Sequence, residues 1–179
     1  MAVILELQQE RRRLTAKRGF AGWAKRFPDS LNEYTCLADL SDTMLRTLSQ
    51  SGEGSSMLIH DLVIRLMGLG KGVEFYDLVR QARLMVMDAS LFLLDQMRFE
   101  IMRRLGWVEN SPVFRLPILD LVERFPAVYS SIKDHTPALL RSHPLYQEYH
   151  EAFEGDRSVF VRRLIPDALE AFQEEDNGA

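Results

Sequence analysis

From Val73 the chain runs to Trp107 without a proline, and without a glycine until Gly106. Its middle, Leu84-Met85-Val86-Met87-Asp88-Ala89-Ser90-Leu91-Phe92-Leu93-Leu94, is apolar on almost every side. A helix that is apolar all round has to be surrounded by other elements or by a partner. The pattern therefore predicts a long central helix over about 73–105, the post of a helical bundle, with Asp88 in its midst.

The rest of the chain supports an all-α fold. Residues 2–18 read as a polar helix with a thin apolar strip, Val3, Leu7 and Leu14. Phe20, Trp23 and Phe27 then recur at helical spacing, and Pro28 ends that segment. Ser30-Leu31-Asn32-Glu33 has the form of a capping box, predicting a helix to about Gln50. Ser55 or Ser56 is placed to cap a further helix from Met57 to about Leu69. After Trp107 come Pro112, Pro117, Pro126, Pro137, Pro144 and Pro166. Proline fits a helix's first turn, where its missing amide loses nothing. Residues 109–173 thus read as four or five short helices, and 174–179 as a frayed tail. No segment keeps the period-two alternation of a strand.

A length of 179 residues suits one domain, spanning 1–179, with a core built without metals or disulfides. It divides into a basic amphipathic arm (1–27), core helices (28–108) and the short helices. The single cysteine, Cys36, suggests a reducing compartment. The first residues hold too few apolar side chains for a signal peptide, and no run reaches the ~18 apolar residues of a membrane span. The expected location is the cytoplasm.

The net charge of −4 conceals a segregation. Residues 1–27 hold seven Lys/Arg against two glutamates, and residues 109–179 hold thirteen Asp/Glu against seven Lys/Arg. Either the two ends dock on each other or simply sit in water, or the basic arm meets an anionic partner. Arg11, Arg12, Arg13 and Trp23 are the candidate partner contacts. Arginines and interleaved aromatics also suit nucleic acid, but no recognition motif is present, so nucleic acid is disfavoured.

Asp88 is the sharpest candidate site residue. Leu84, Met85, Leu91 and Phe92, one turn away, cannot pair with a carboxylate, whereas Asp77 has Arg80 and Asp95 has Arg98 at pairing distance. A buried, unpaired carboxylate costs several kcal/mol or takes up a proton. Asp88 should therefore find a partner on another helix or line a water-filled pocket. His60 falls near Ile64 and Met67, the position of a hydrogen-bonded core histidine, while Asp61 and Arg65 form an i,i+4 pair. His60-Asp61 spells the dipeptide of the HD metal-dependent phosphohydrolases. That family needs an earlier histidine ligand, and His60 is the first histidine in the chain.

The remaining motifs read as structure. His143, Gln147, His150 and Glu154 share one helical face and suit a divalent metal, but Leu145, Tyr146, Tyr149, Ala152 and Phe153 make the opposite face the packing one. Gly68-Leu69-Gly70-Lys71-Gly72 offers amides and a lysine to a phosphate, yet no strand leads into it and it reads as a turn. Cys36 reads as a core residue. No metal or cofactor is predicted. Asp134-His135, beside Pro137 in an all-helical chain of this size, resembles the acid-His hinge of redox-enzyme assembly chaperones. The likeness covers one dipeptide, and Lys133 stands where a proline usually precedes it.

The sequence thus predicts a non-catalytic interaction or regulatory protein, an adaptor or chaperone that associates with a protein partner, most simply itself as a dimer. The competing expectation is a small enzyme or ligand-binding protein with a polar site inside the bundle near Asp88 and His60.

Overall fold

In the computed structural model, which describes residues 2–127 and 135–177, the long helix is α4 (Arg80–Arg104). It starts later than the pattern predicts. Gly72–Asp77 form a 3-10 turn, and Leu78 and Val79 are extended. Contacts with α3 (Glu53–Leu66) explain the break. The Asp61 carboxylate accepts from the Gly72 amide at 2.8 Å, and Phe75 stacks on His60. These contacts override the helical propensity of the segment.

The two halves of α4 differ. From Phe92 onward it is the central post: Phe92, Leu93, Met97, Phe99, Ile101 and Met102 are buried. The N-terminal half is not surrounded. Leu84, Met87 and Leu91 are 51%, 43% and 60% exposed. All-round burial, expected of the whole segment, holds only for the second half.

Around that half pack α2 (Asp42–Ser49), α3 and the C-terminal helix α8 (Ile165–Asn177). The N-terminal helix α1 (Ala2–Gly19) lies on α3 through its last turns, where Thr15, Ala16 and Phe20 are buried. Gly19 permits this approach: a Cβ there would sit 2.2 Å from Leu66 Cδ2. Residues 4–11 are exposed throughout.

Two predicted helix starts move. No helix follows Ser30, because Asn32 and Thr35 bond locally instead. Asn32 Oδ1 accepts from the Tyr34 amide at 2.8 Å, and Thr35 Oγ1 accepts from the Asn32 amide at 2.9 Å. Such side-chain bonds compete with helix formation. The Thr35 carbonyl meanwhile accepts from the Ile118 amide, tying this loop to the C-terminal half. The cap of α2 is Ser41. Likewise α3 begins at Glu53, and the Ser55 hydroxyl donates to the Thr47 carbonyl at 2.7 Å rather than capping.

The proline-punctuated half is a set of short elements: a 3-10 turn at Pro112–Arg115, α5 (Ile118–Glu123), α6 (Tyr146–Glu151), α7 (Arg157–Arg163) and α8. Pro112 and Pro166 lie in first turns, and α8 continues through Asn177 instead of fraying at 174. Among the described residues β-structure is limited to the isolated bridges Cys36–Pro117 and Val108–Leu139. No described helix is long and apolar enough to cross a membrane.

The buried carboxylate of α4 is Glu100, not Asp88. Glu100 is 0% exposed and accepts two bonds of 2.7 Å from Arg103 and one of 2.9 Å from Arg104. Arg104 also donates to Asp42 and to the Ala38 and Leu40 carbonyls, fastening the end of α4 to the start of α2.

Candidate functional site

Asp88 is exposed, because it lies on the uncovered face of the first half of α4, whose other face buries Val86, Ala89 and Ser90. It makes no hydrogen bond or ion pair with another described residue. The buried partner expected for it is absent, and Asp88 instead lines a cleft of about 340 Å³ with Leu91, Phe92, Asp95, Gln96, Phe125, His135 and Arg162. A cleft of this size falls within the ~300–1,000 Å³ of small-ligand pockets.

One wall is aromatic. The Phe92 ring lies 5.6 Å from Phe125 and 4.9 Å from His135, centroid to centroid. Asp95 pairs across the cleft with Arg162 at 3.2 Å rather than with Arg98 along its own helix. Arg98 donates instead to the Ser49 carbonyl and the Ser51 hydroxyl. Arg162 is held further by the Thr136 hydroxyl at 2.7 Å and lies 5.4 Å from the Phe99 ring centre. Gln96 is 0% exposed, and its Nε2 donates to the His135 carbonyl at 3.1 Å. Its Oε1 is buried without a partner among the described residues. Sequence reasoning missed Gln96, Phe125 and Arg162, since their convergence is a matter of tertiary packing.

His60 does not join this cleft. Its ring stacks on Phe75, 5.4 Å between centroids and 7° between planes. Burial pushes its pKa down, as it does for His143. A neutral imidazole is thus favoured in the folded state. The unfolded chain takes up protons first, near pH ~6.5. The stabilisation is therefore present above that pH and lost as pH falls through it toward the folded pKa. Urea midpoints at pH 7.5 and 5.5 check this: His60→Phe, which keeps the stack, should lose less stability on acidification than the parent. Equal losses would contradict it.

In the basic segment one arginine docks within the chain, one pairs on its own helix and one is exposed. Arg12 docks within the chain, 2.7 Å from Asp120 in the acidic half. Arg13 pairs with Glu10 on its own helix, and Arg11 is exposed. Trp23, a candidate partner contact, is 0% exposed, and its Nε1 donates to the Leu58 carbonyl at 3.0 Å. The recurrent aromatics of the segment serve the core.

The histidine stripe does not form a single helical face. His143 precedes α6, and Glu154 begins a separate turn after it. His143 packs edge-on against Trp107, and no cluster of metal-binding side chains occurs among the described residues. In the glycine-rich turn, Gly68 and Gly70 adopt φ of 70° and 108°. The amides of Lys71 and Gly72 already meet the carboxylates of Glu74 and Asp61, as the turn reading requires. Cys36 is partly buried, with Sγ 3.1 Å from the Arg115 carbonyl. Burial and nearby Asp39 push its thiol pKa up, which disfavours a nucleophile. Of the Asp134-His135 pair, Asp134 lies outside the described residues, and His135 lines the cleft.

No protein-family model, curated protein or solved structure matches this chain.

Proposed function

We propose that the protein is a non-catalytic interaction domain that binds a second copy of itself. One observation carries this reading: two separate helices present uncovered apolar stripes of matching length. On α1, Ile4, Leu7 and Leu14 are 59%, 65% and 53% exposed, with Arg11 between them. On α4, Leu84, Met87 and Leu91 continue the line of Arg80. Both stripes have the alternating three- and four-residue spacing of a helix-packing seam. Both are uncovered in the single chain, so neither covers the other.

A second copy supplies what each stripe lacks. The α1 arm of one copy lies on the α4 stripe of the other, and the reciprocal contact closes the assembly about a two-fold axis. The exposed half of α1 makes almost no tertiary contacts, and a short isolated helix is marginal in water. Docking would stabilise it. The arm exposes Arg11 and Lys17, while Arg80 lies in line with the α4 stripe and Asp77 and Asp88 lie near it, so the pairing rests on the apolar stripes and not on charge. The separation of His60 from Asp88 supports the interaction reading over an enzyme site inside the bundle.

Sedimentation at micromolar concentration tests it. The parent is expected to be a dimer. Leu7→Glu and Leu84→Glu, on different helices, should each give monomers with native-like helical content. A parent that sediments as a monomer at tens of micromolar would overturn the proposal.

A further inference from the structure

A second cleft, of about 250 Å³, lies between α1 and the loop that follows Ser30. Arg13 and Lys17 of α1 face Asn32 and Glu33 of the loop across it. By helical periodicity Arg13 and Lys17 stand about 120° around α1 from the stripe of Ile4, Leu7 and Leu14. The cleft therefore contains none of the residues that the self-association reading uses. Its volume is just under the ~300–1,000 Å³ of drug-sized ligand pockets, so a ligand here is small.

The charged groups of the lining leave one opposite pair unused. Arg13 is engaged within α1, donating to both oxygens of Glu10 at 2.9 and 2.6 Å. Glu33 acts on the Arg13 charge through space without a hydrogen bond. Lys17 makes no hydrogen bond or ion pair with a described residue, and Lys17 and Glu33 do not pair with each other. Asn32, exposed on the same lining, adds a donor. Its Oδ1 accepts from the Tyr34 amide at 2.8 Å, which fixes the oxygen and leaves Nδ2 to donate elsewhere. An anionic ligand would leave Glu33 unanswered, and a cationic one would leave Lys17 unanswered. A ligand that carries both charges answers both. Between the charges the lining is apolar: Ala24 is exposed and Leu31 half-buried, with Phe20 beneath them.

We propose that this cleft binds a small zwitterion with an apolar tail, an apolar α-amino acid. Lys17 and the Asn32 amide nitrogen receive its carboxylate, Glu33 receives its ammonium group, and its side chain lies against Ala24 and Leu31.

Two-dimensional NMR titration of the full chain at low salt, with L-leucine, 4-methylpentanoate and 3-methylbutylamine, tests the assignment. The three probes share a branched chain; the second lacks the ammonium group and the third the carboxylate. An open site binds weakly, so the titrations run to about 20 mM. Leucine should shift the amides around Lys17 and Glu33 saturably. It should bind roughly two- to fivefold tighter than either analogue, the scale of one exposed ion pair. Lys17→Met should erase the preference over the amine and keep that over the acid. Glu33→Gln should do the reverse. Neither side chain bonds to the body of the protein, so both variants should keep the parent's denaturation midpoint. Absence of saturable shifts with leucine, equal affinity for the three probes, or unchanged preferences in the two variants would each overturn the proposal.

Discussion

Replacing Arg103 and Arg104 together with methionine is expected to destabilise the fold by about 3–5 kcal/mol, the cost of leaving a buried charge uncompensated. The asymmetry of the cluster sets the size of the effect. Glu100 has no solvent contact, whereas the side chains of Arg103 and Arg104 are 33% and 19% exposed. Losing the arginines strands an anion in the core. Losing the glutamate leaves cations that water can reach. The cations also lie in the last turn of α4, where the helix dipole favours positive charge. Adding Glu100→Leu to the double variant should therefore recover part of the lost stability, since it removes the stranded charge. The contacts of Arg104 with the Ala38 and Leu40 carbonyls remain lost, so recovery stays incomplete. Urea denaturation of the double and triple variants checks both statements. A triple variant no more stable than the double would show that the buried anion is not the cause.

Glu100 also shows where sequence reasoning reached its limit. With Arg103 and Arg104 one turn away, it has the pattern of a solvated i,i+4 network. Asp88, flanked only by apolar residues, has the pattern of a buried carboxylate. The structure reverses the two, because burial depends on what packs against a helix and not on its own neighbours. The elements that bury Glu100 include α2 and the turn at Leu37–Asp39, about sixty residues earlier in the chain. The broad architecture was legible for the complementary reason. Proline placement, the long uninterrupted segment and the lack of alternation are local signals, and they point to an all-helical chain with one long helix, though not to the observed helix bounds. Local competition misled at Ser30, where Asn32 and Thr35 turn the chain before a helix can start. The cleft was half legible: Asp88 was singled out, but Phe125, His135 and Arg162 come to it from distant segments, and His60 is held elsewhere by Phe75.

Trp23→Ala is expected to cost about 3–5 kcal/mol, the range for deleting a large aromatic from a packed core. The indole has no solvent contact and packs 5.6 Å from the Phe20 ring. Its removal opens a cavity where the end of α1 meets α3, and it also takes the donor from the Leu58 carbonyl. The carbonyl near the cavity then lacks that bond, a loss separate from packing. Trp23→Phe separates the two effects: it retains most of the ring and gives up the N–H, so it should cost less than Trp23→Ala. A partner-contact role predicts a different outcome, with stability preserved and association lost. Denaturation midpoints measured beside sedimentation distinguish them. If Trp23→Ala keeps the parent's midpoint, the anchoring of α1 through this residue is wrong. If stability falls as expected, the fixed end of α1 is what holds its exposed half out from the body, where Ile4, Leu7 and Leu14 can reach a second copy.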